Sequence, residues 1–314
     1  MAAVLPPGLQ PTSPPALPPT HRAKPARAGA APRPSHGFWA RLWRDKPLGA
    51  AGALVLLLFL ACGLLADVIA PYGFNEIAPL DRLLPPSAAH WFGTDNLGRD
   101  VLSRCLFGAQ LSVIIGVTAA VLATLISGAV GIVSGYFGGK VDLLLQRVVD
   151  AWMSFPDLIV LIVVVSVLGP GMAQIIGTLG LLLGIAGSRI VRSSVMSVRE
   201  HLYVHAAQSI GASSWRILWR HVLPNVLPPI IVLFTTRVGT VILAESGLAF
   251  LGLGVPPPSP TWGSMLSGSG RTYMFQGPWL ALAPGLCLTA VVYATNVFGD
   301  ALRDLLDPRM RGSR

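Results

Sequence analysis

Apolar residues in this chain gather into long runs: Pro47 to Ala66, then about 108–135, 143–168, 172–190, 226–248 and 280–299. Each run is close to, or beyond, the ~20 residues that cross the hydrocarbon core of a bilayer as a helix. The pattern predicts an all-α polytopic membrane protein with six transmembrane helices. It changes between the fourth and fifth runs, where VREHLYVHAAQSIGASSWRILWRHVLPNVLP, from Val198 to Pro228, is charged and amphipathic. Good helix formers fill Val198 to Ser209, and Gly211 breaks them. Ser213 is placed to cap a second helix whose apolar face is Trp215, Leu218, Trp219 and Val222, and Pro224 closes the segment before the fifth run. Two short helices meeting at a glycine make an elbow that fits a groove on a soluble partner. The alternative is an amphipathic loop lying on the inner leaflet.

Composition agrees with a membrane protein. Of 314 residues 53% are hydrophobic and 12% charged, against about 25% charged in soluble domains. The net charge of +9 is not a nucleic-acid signal, because the basic residues are unevenly placed. With the start of the first span on the inner side, eighteen of 23 Lys and Arg fall in cytosolic segments. Arg82, Arg99, Arg104 and Arg271 fall outside, and Arg237 within a span. By the positive-inside rule, both termini of this multi-pass protein are cytosolic. Residues 1–36, rich in Pro and Ala, are expected to be a disordered cytosolic tail without a cleavable signal. Residues 37–106 hold an interfacial helix at 38–47, the first span and an external loop. Residues 107–300 form the core with five spans and the cytosolic loop 198–225, and 301–314 a cytosolic tail containing a short helix.

Smaller features refine this layout. The external stretch 69–106 is read as an ordered, irregular loop and 249–279 as a second loop, with Trp262 and Trp279 suited to the membrane interface. Gly131 with Gly135, and Gly180 with Gly184, give small-residue spacings that let helices approach closely in lipid. Cys62, Cys105 and Cys287 share no motif spacing, so they read as small apolar side chains. The lysine of GGK at 138–140 is not followed by Ser or Thr, so it is no phosphate-binding loop. No HExxH, Cys/His cluster or GxSxG occurs either. The chain reads as a non-enzyme, and if it serves a powered process the energy comes from another polypeptide.

Ionisable residues inside spans usually face protein or water. In span three, Arg147, Asp150 and Asp157 fall on one stripe. Arg147 and Asp150 read as a neutralising pair. Asp157, after Pro156, is either a pathway group able to meet a substrate amino end or a packing residue at a kink. In span five, Arg237 and Glu245 share a face. Arg237 either balances Asp157 across the bundle or receives a carboxylate, and Glu245 is a pathway candidate or a structural residue.

The segments WFGTDNLGRDVLSR (91–104), GYFGGKVD (135–142), AAQSIGAS (206–213), RHVLPN (220–225), ILAESGLAFLGLGVPPPSPTWGSML (242–266) and GDALRDLLDPR (299–309) carry a resemblance. In their order they are similar to ABC importer permeases of the dipeptide, oligopeptide and nickel family, C-type subunit. The resemblance runs from about Trp39 to Arg309, and the 198–225 loop looks like that family's EAA loop. The chain departs from the pattern at His205, where the family has an acidic residue, and at His221, at an isoleucine position. The resemblance implies a type I importer fold and assigns ATPase coupling to Glu200, His205, Ala206, Ala207, Gly211, Trp215, Leu223 and Pro224. It also implies a homologous second permease, two cytosolic ATP-binding subunits that hold the ATP, and an extracytoplasmic solute-binding protein. No cofactor is expected on this chain; membrane lipids are a further partner, and nucleic acid is not. Small peptides are the implied cargo, with nickel, glutathione or another small solute as alternatives. A passive channel or scaffold is the alternative from a different class.

Overall fold

Continuous stretches of apolar side chain are compatible with a bilayer only when every backbone N–H and C=O is paired within the segment, and helices achieve this. The structure is a computed structural model that describes residues 38–306. The predicted 1–36 tail and residues 307–314, Arg309 included, lie outside the described residues. Among the described residues regular structure is helical, apart from an isolated antiparallel bridge between Thr94 and Asp100. The elements are α1 (Phe38–Asp45), α2 (Pro47–Leu64), α3 (Val101–Phe137), α4 (Gly139–Met153), α5 (Asp157–Leu168), α6 (Met172–Arg199) and α7 (Leu202–Ser209). They continue with α8 (Ser214–Phe250), α9 (Trp262–Met265) and α10 (Trp279–Leu306). Five helices (α2, α3, α6, α8 and α10) are long and apolar enough to cross a membrane, and α4 with α5, bent by 80° between them, makes a sixth where the pair is counted as one span.

That bend corrects the expected third span. The chain leaves the helix at 154–156, because Pro156 offers no N–H and disfavours helical geometry in the residue before it. The predicted stripe of Arg147, Asp150 and Asp157 is therefore interrupted. Asp150 pairs with Arg189 of α6, where the sequence suggested Arg147. Two other boundaries move. Pro224 does not end a helix: Ser214 to Phe250 is continuous, with a π-turn over Leu218–Val222 in which the Leu223 N–H reaches the Leu218 carbonyl. A widened turn accommodates the proline ring and its missing donor. Likewise, 300–306 is the end of α10 and not a separate short helix.

The two small-residue spacings belong to one seam. A Cβ on Gly131 would lie 2.7 Å from the Ser188 carbonyl oxygen, and one on Gly135 2.8 Å from that of Arg192, both on α6. From the other side, a Cβ on Gly180 would lie 2.5 Å from Leu122, and one on Gly184 2.7 Å from Ile126, both on α3. Close backbone approach of this kind supplies dispersion contact where lipid offers no hydrophobic drive. Helix α2 packs on α10 in the same way, with Gly52 against the Ala294 carbonyl, while Leu42 of α1 is buried and Lys46 pairs with Asp304.

At one end of the bundle, the 70–100 segment packs on itself. Asp95 accepts from the Leu97 and Arg99 amides (2.8 and 3.0 Å) and from Arg99 Nε (2.7 Å). Asp100 caps α3 through the Ser103 amide at 2.8 Å and meets His90 Nδ1 at 3.0 Å. This is the ordered, irregular loop expected from its turn formers. The expected interfacial role of Trp262 gives way to burial. Its ring is fully enclosed, edge-on to Phe59, and its Nε1 donates to the Cys105 carbonyl at 3.1 Å. Trp279 is half-buried and donates to the Thr94 carbonyl at 3.2 Å.

The seam predicts a contrast within one helix. Gly131→Ala should lower the detergent-phase melting temperature of the purified protein by an overpacking cost of about 1–3 kcal/mol. Gly128→Ala, whose Cβ would meet nothing within 4 Å, should leave it unchanged.

Candidate functional site

The elbow is built as a capped turn seated on a buried core. Gly211 adopts φ +78°, and a Cβ there would meet no neighbour, so backbone conformation and not space requires the glycine. Its N–H donates to the Gln208 carbonyl at 3.0 Å and that of Ala212 to the Ala207 carbonyl at 3.1 Å, the paired bonds of a Schellman ending. Ser213 then caps the next helix by accepting from the Arg216 amide at 3.4 Å. The break at Gly211 and the cap at Ser213 are where the sequence placed them.

The apolar face is not where it was expected. Leu218 and Val222 are buried, together with Val204, Ala207 and Ile217, in a cluster with Tyr136 of α3 and Val191, Val195 and Val198 of α6. Leu223 packs against the same cluster. Trp215 and Trp219 lie on the opposite side, 69% and 56% exposed and edge-on to each other at 5.6 Å. The predicted four-residue face therefore divides into a buried anchor, Leu218 and Val222, and an outward surface, Trp215 and Trp219. Leu202, Tyr203 and Ile210 are also exposed there, as are Ala206 and Pro224. Glu200, at the end of α6, stands 4.0 Å from His205.

Polar contacts hold the base of the elbow. Arg192 binds Asp142 through two nitrogens, Nε at 2.6 Å and Nη2 at 2.5 Å, and Ser134 also bonds that carboxylate. Arg199 donates to the Tyr136 carbonyl at 3.2 Å, closing the end of α3. Sequence reasoning missed this cluster. Its available signal was the acid of GYFGGKVD opposite the basic end of span four.

The charges within the bundle are arranged differently. Arg237 is half-buried, and its Nε has no hydrogen-bond partner among the described residues. It lies one turn past Leu233, which belongs to the elbow's cluster, and one turn before Val241, which belongs to a second cluster with Leu161, Leu179 and Leu182. Asp157 is exposed at the first turn of α5, and no ion pair within 4.0 Å joins it to Arg237. Glu245 is fully buried, and neither of its carboxylate oxygens has a hydrogen-bond partner among the described residues.

Residues 127–312 match the family described as the binding-protein-dependent transport system inner membrane component. Residues 34–86 match the N-terminal transmembrane domain of oligopeptide transport permease C. The chain belongs to this permease family. Among its relatives is a dipeptide transport system permease protein of Alkalihalophilus pseudofirmus, 38% identical over 85% of this chain and 88% of that protein. Glutathione transport system permease proteins of Pectobacterium atrosepticum and an Escherichia coli strain are 38% and 40% identical, over 88% and 89% of this chain and 92% of each relative. The fold is similar to an inward-facing structure of the MetNI methionine ABC transporter, with a TM-score of 0.54 at 17% identity, covering 65% of this chain and 96% of the other. The architecture is therefore the type I ABC importer transmembrane fold, in a multi-pass inner-membrane transport permease and not an enzyme.

For this permease, Gly211→Val should strain the turn by about 1–2 kcal/mol, because a β-branched residue resists positive φ. The expected outcome is normal membrane insertion on a fractionated blot and loss of ATP-dependent uptake. Gly211→Asn, which tolerates that φ, should retain most of it.

Proposed function

We propose that this chain is the permease subunit of an ATP-driven importer of small peptides, working with a homologous second permease, two cytosolic ATP-binding subunits and an extracytoplasmic solute-binding protein. The observation that supports this most directly is the two-sided elbow, whose anchor is fixed in the bundle while aromatic residues face away from it. A surface with Trp215, Trp219 and Tyr203 outward, backed by a rigid core, suits a hot-spot contact with a groove on the ATP-binding subunit. Nucleotide is bound by those partners. Glu200 beside His205 keeps a carboxylate near the position where relatives of this type carry an acid.

In this reading the elbow and both termini are cytosolic, and the self-packed 70–100 segment faces the solute-binding protein. Closure of the ATP-binding pair pushes the elbow. Because Val204, Ala207, Ile217 and Val222 lock it to α3, α6 and α8, these helices move together and open the path outward. Hydrolysis returns them. Dipeptide and glutathione permeases among the relatives support a peptide cargo, and glutathione is itself a small peptide.

Reconstitution with the partner subunits should give dipeptide uptake that requires ATP and the binding protein, whereas a passive channel would leak without either. Replacing Trp215 and Trp219 together by Ser should cut recovery of the ATP-binding subunits in affinity purification at least ~10-fold. Recovery of the second permease should not change. Undiminished capture of the ATP-binding subunits would reject the docking surface.

A further inference from the structure

Among the described residues, four buried side-chain oxygens lack a hydrogen-bond partner, and they gather at one place. They are Ser112 Oγ of α3 and, on α8, Glu245 Oε1 and Oε2 with Ser246 Oγ. The three residues are 1%, 0% and 5% exposed, so water does not take the place of a partner. Gly108, Ser112 and Gly116 are four residues apart and form one stripe of α3. At one end of that stripe, a Cβ on Gly116 would lie 2.6 Å from Ile242 of α8, three residues before Glu245. At the other end, a Cβ on Gly108 would lie 3.1 Å from Trp262 of α9, and one on the adjoining Gly263 2.5 Å from Ser246 Cα. Ser112 is therefore held between these contacts, level with the turn of α8 that carries Glu245 and Ser246. α9 closes over that turn.

The surrounding groups offer Glu245 no counter-charge. Among the described residues no basic side chain lies within 4.0 Å of it. Nearby donors are engaged elsewhere: Trp262 Nε1 bonds the Cys105 carbonyl at 3.1 Å, and Thr261 exchanges bonds with Ser264 at the start of α9. A serine hydroxyl in direct contact with a carboxylate donates to it, and neither Ser112 nor Ser246 does so. The oxygens thus stand at a spacing that a small bridging group closes. An unpaired carboxylate enclosed in an apolar bundle is costly. The donor set is oxygen only, which suits hard cations and not soft transition metals. One carboxylate balances a single positive charge.

We propose that Glu245, Ser246 and Ser112 bind an alkali-metal cation of the sodium class, which fastens α3 to α8 beneath α9. Exchange of the ion requires α9 to lift, so the bound ion holds this end of the bundle closed. The site belongs to this chain alone and does not depend on the cargo.

The test uses the full-length chain purified with the subunits it assembles with, at fixed pH and fixed chloride. Sodium is replaced stepwise by N-methyl-D-glucamine, a cation too large to be enclosed. Glu245→Gln keeps the shape of the side chain and removes its charge. The native complex should bind about one more radiolabelled sodium ion per copy of this chain than that variant, and sodium should raise its melting temperature by ~3 °C or more, as for any ligand held by the folded state alone. In Glu245→Gln the sodium-dependent rise should vanish. Ser112→Ala should weaken sodium binding at least ~10-fold. Because Ser112 belongs to the other helix, that loss marks a bridging site. It also stays decisive where Glu245→Gln fails to assemble, with assembly scored by recovery of all subunits. Sodium binding that survives intact in both variants would overturn the site. So would an assembled native complex that binds no sodium. A melting temperature that follows pH and ignores sodium would overturn it as well, since a proton on Glu245 then takes the place of the ion.

Discussion

The glycine seam between α3 and α6 is the contact on which the remainder of the bundle depends. Four positions without side chains bring two long helices to backbone distance, and in lipid that dispersion contact substitutes for the hydrophobic drive available in water. The seam continues directly into the elbow's anchor, because Tyr136 follows Gly135 on α3 while Val191, Val195 and Val198 follow along α6. The Arg192–Asp142 bonds and the Arg199 cap on the Tyr136 carbonyl lie at the same junction. The elbow is thus an extension of the tightest interface in the molecule, and a displacement applied to it is shared by α3, α6 and α8.

What could be read from sequence divides by the range of the physics involved. Gly211 and Ser213 were legible because a left-handed turn and a helix cap are decided by a few neighbouring residues. The glycine pairs were legible as close-approach sites, although nothing local said that they face one another. Misreadings occurred where tertiary context overrides local rules. Pro224 looked like a terminator, but one π-turn carries the helix past it. Trp215 and Trp219 are exposed and Leu218 and Val222 buried, although a uniform period had placed all four on one face. Trp262 has the composition of an interface anchor, yet Gly108 leaves a slot for its ring and the Cys105 carbonyl takes its N–H. Asp150 found its partner 39 residues away on α6, a choice that helical spacing cannot encode.

The buried apolar residues form separate clusters, one at the elbow and one further along the helices, with Arg237 on α8 between them. Asp157 follows directly on the α4–α5 break at 154–156. Close-packed interiors shift between discrete arrangements and do not deform smoothly. The proline break supplies backbone freedom that such packing does not. Glu245 stands apart from both, enclosed where α9 crosses α8 at Gly263, with neither carboxylate oxygen hydrogen-bonded among the described residues. Contact pairs therefore fasten the elbow end and a self-packed loop the far end, and the break at Pro156 interrupts the helix between α4 and α5.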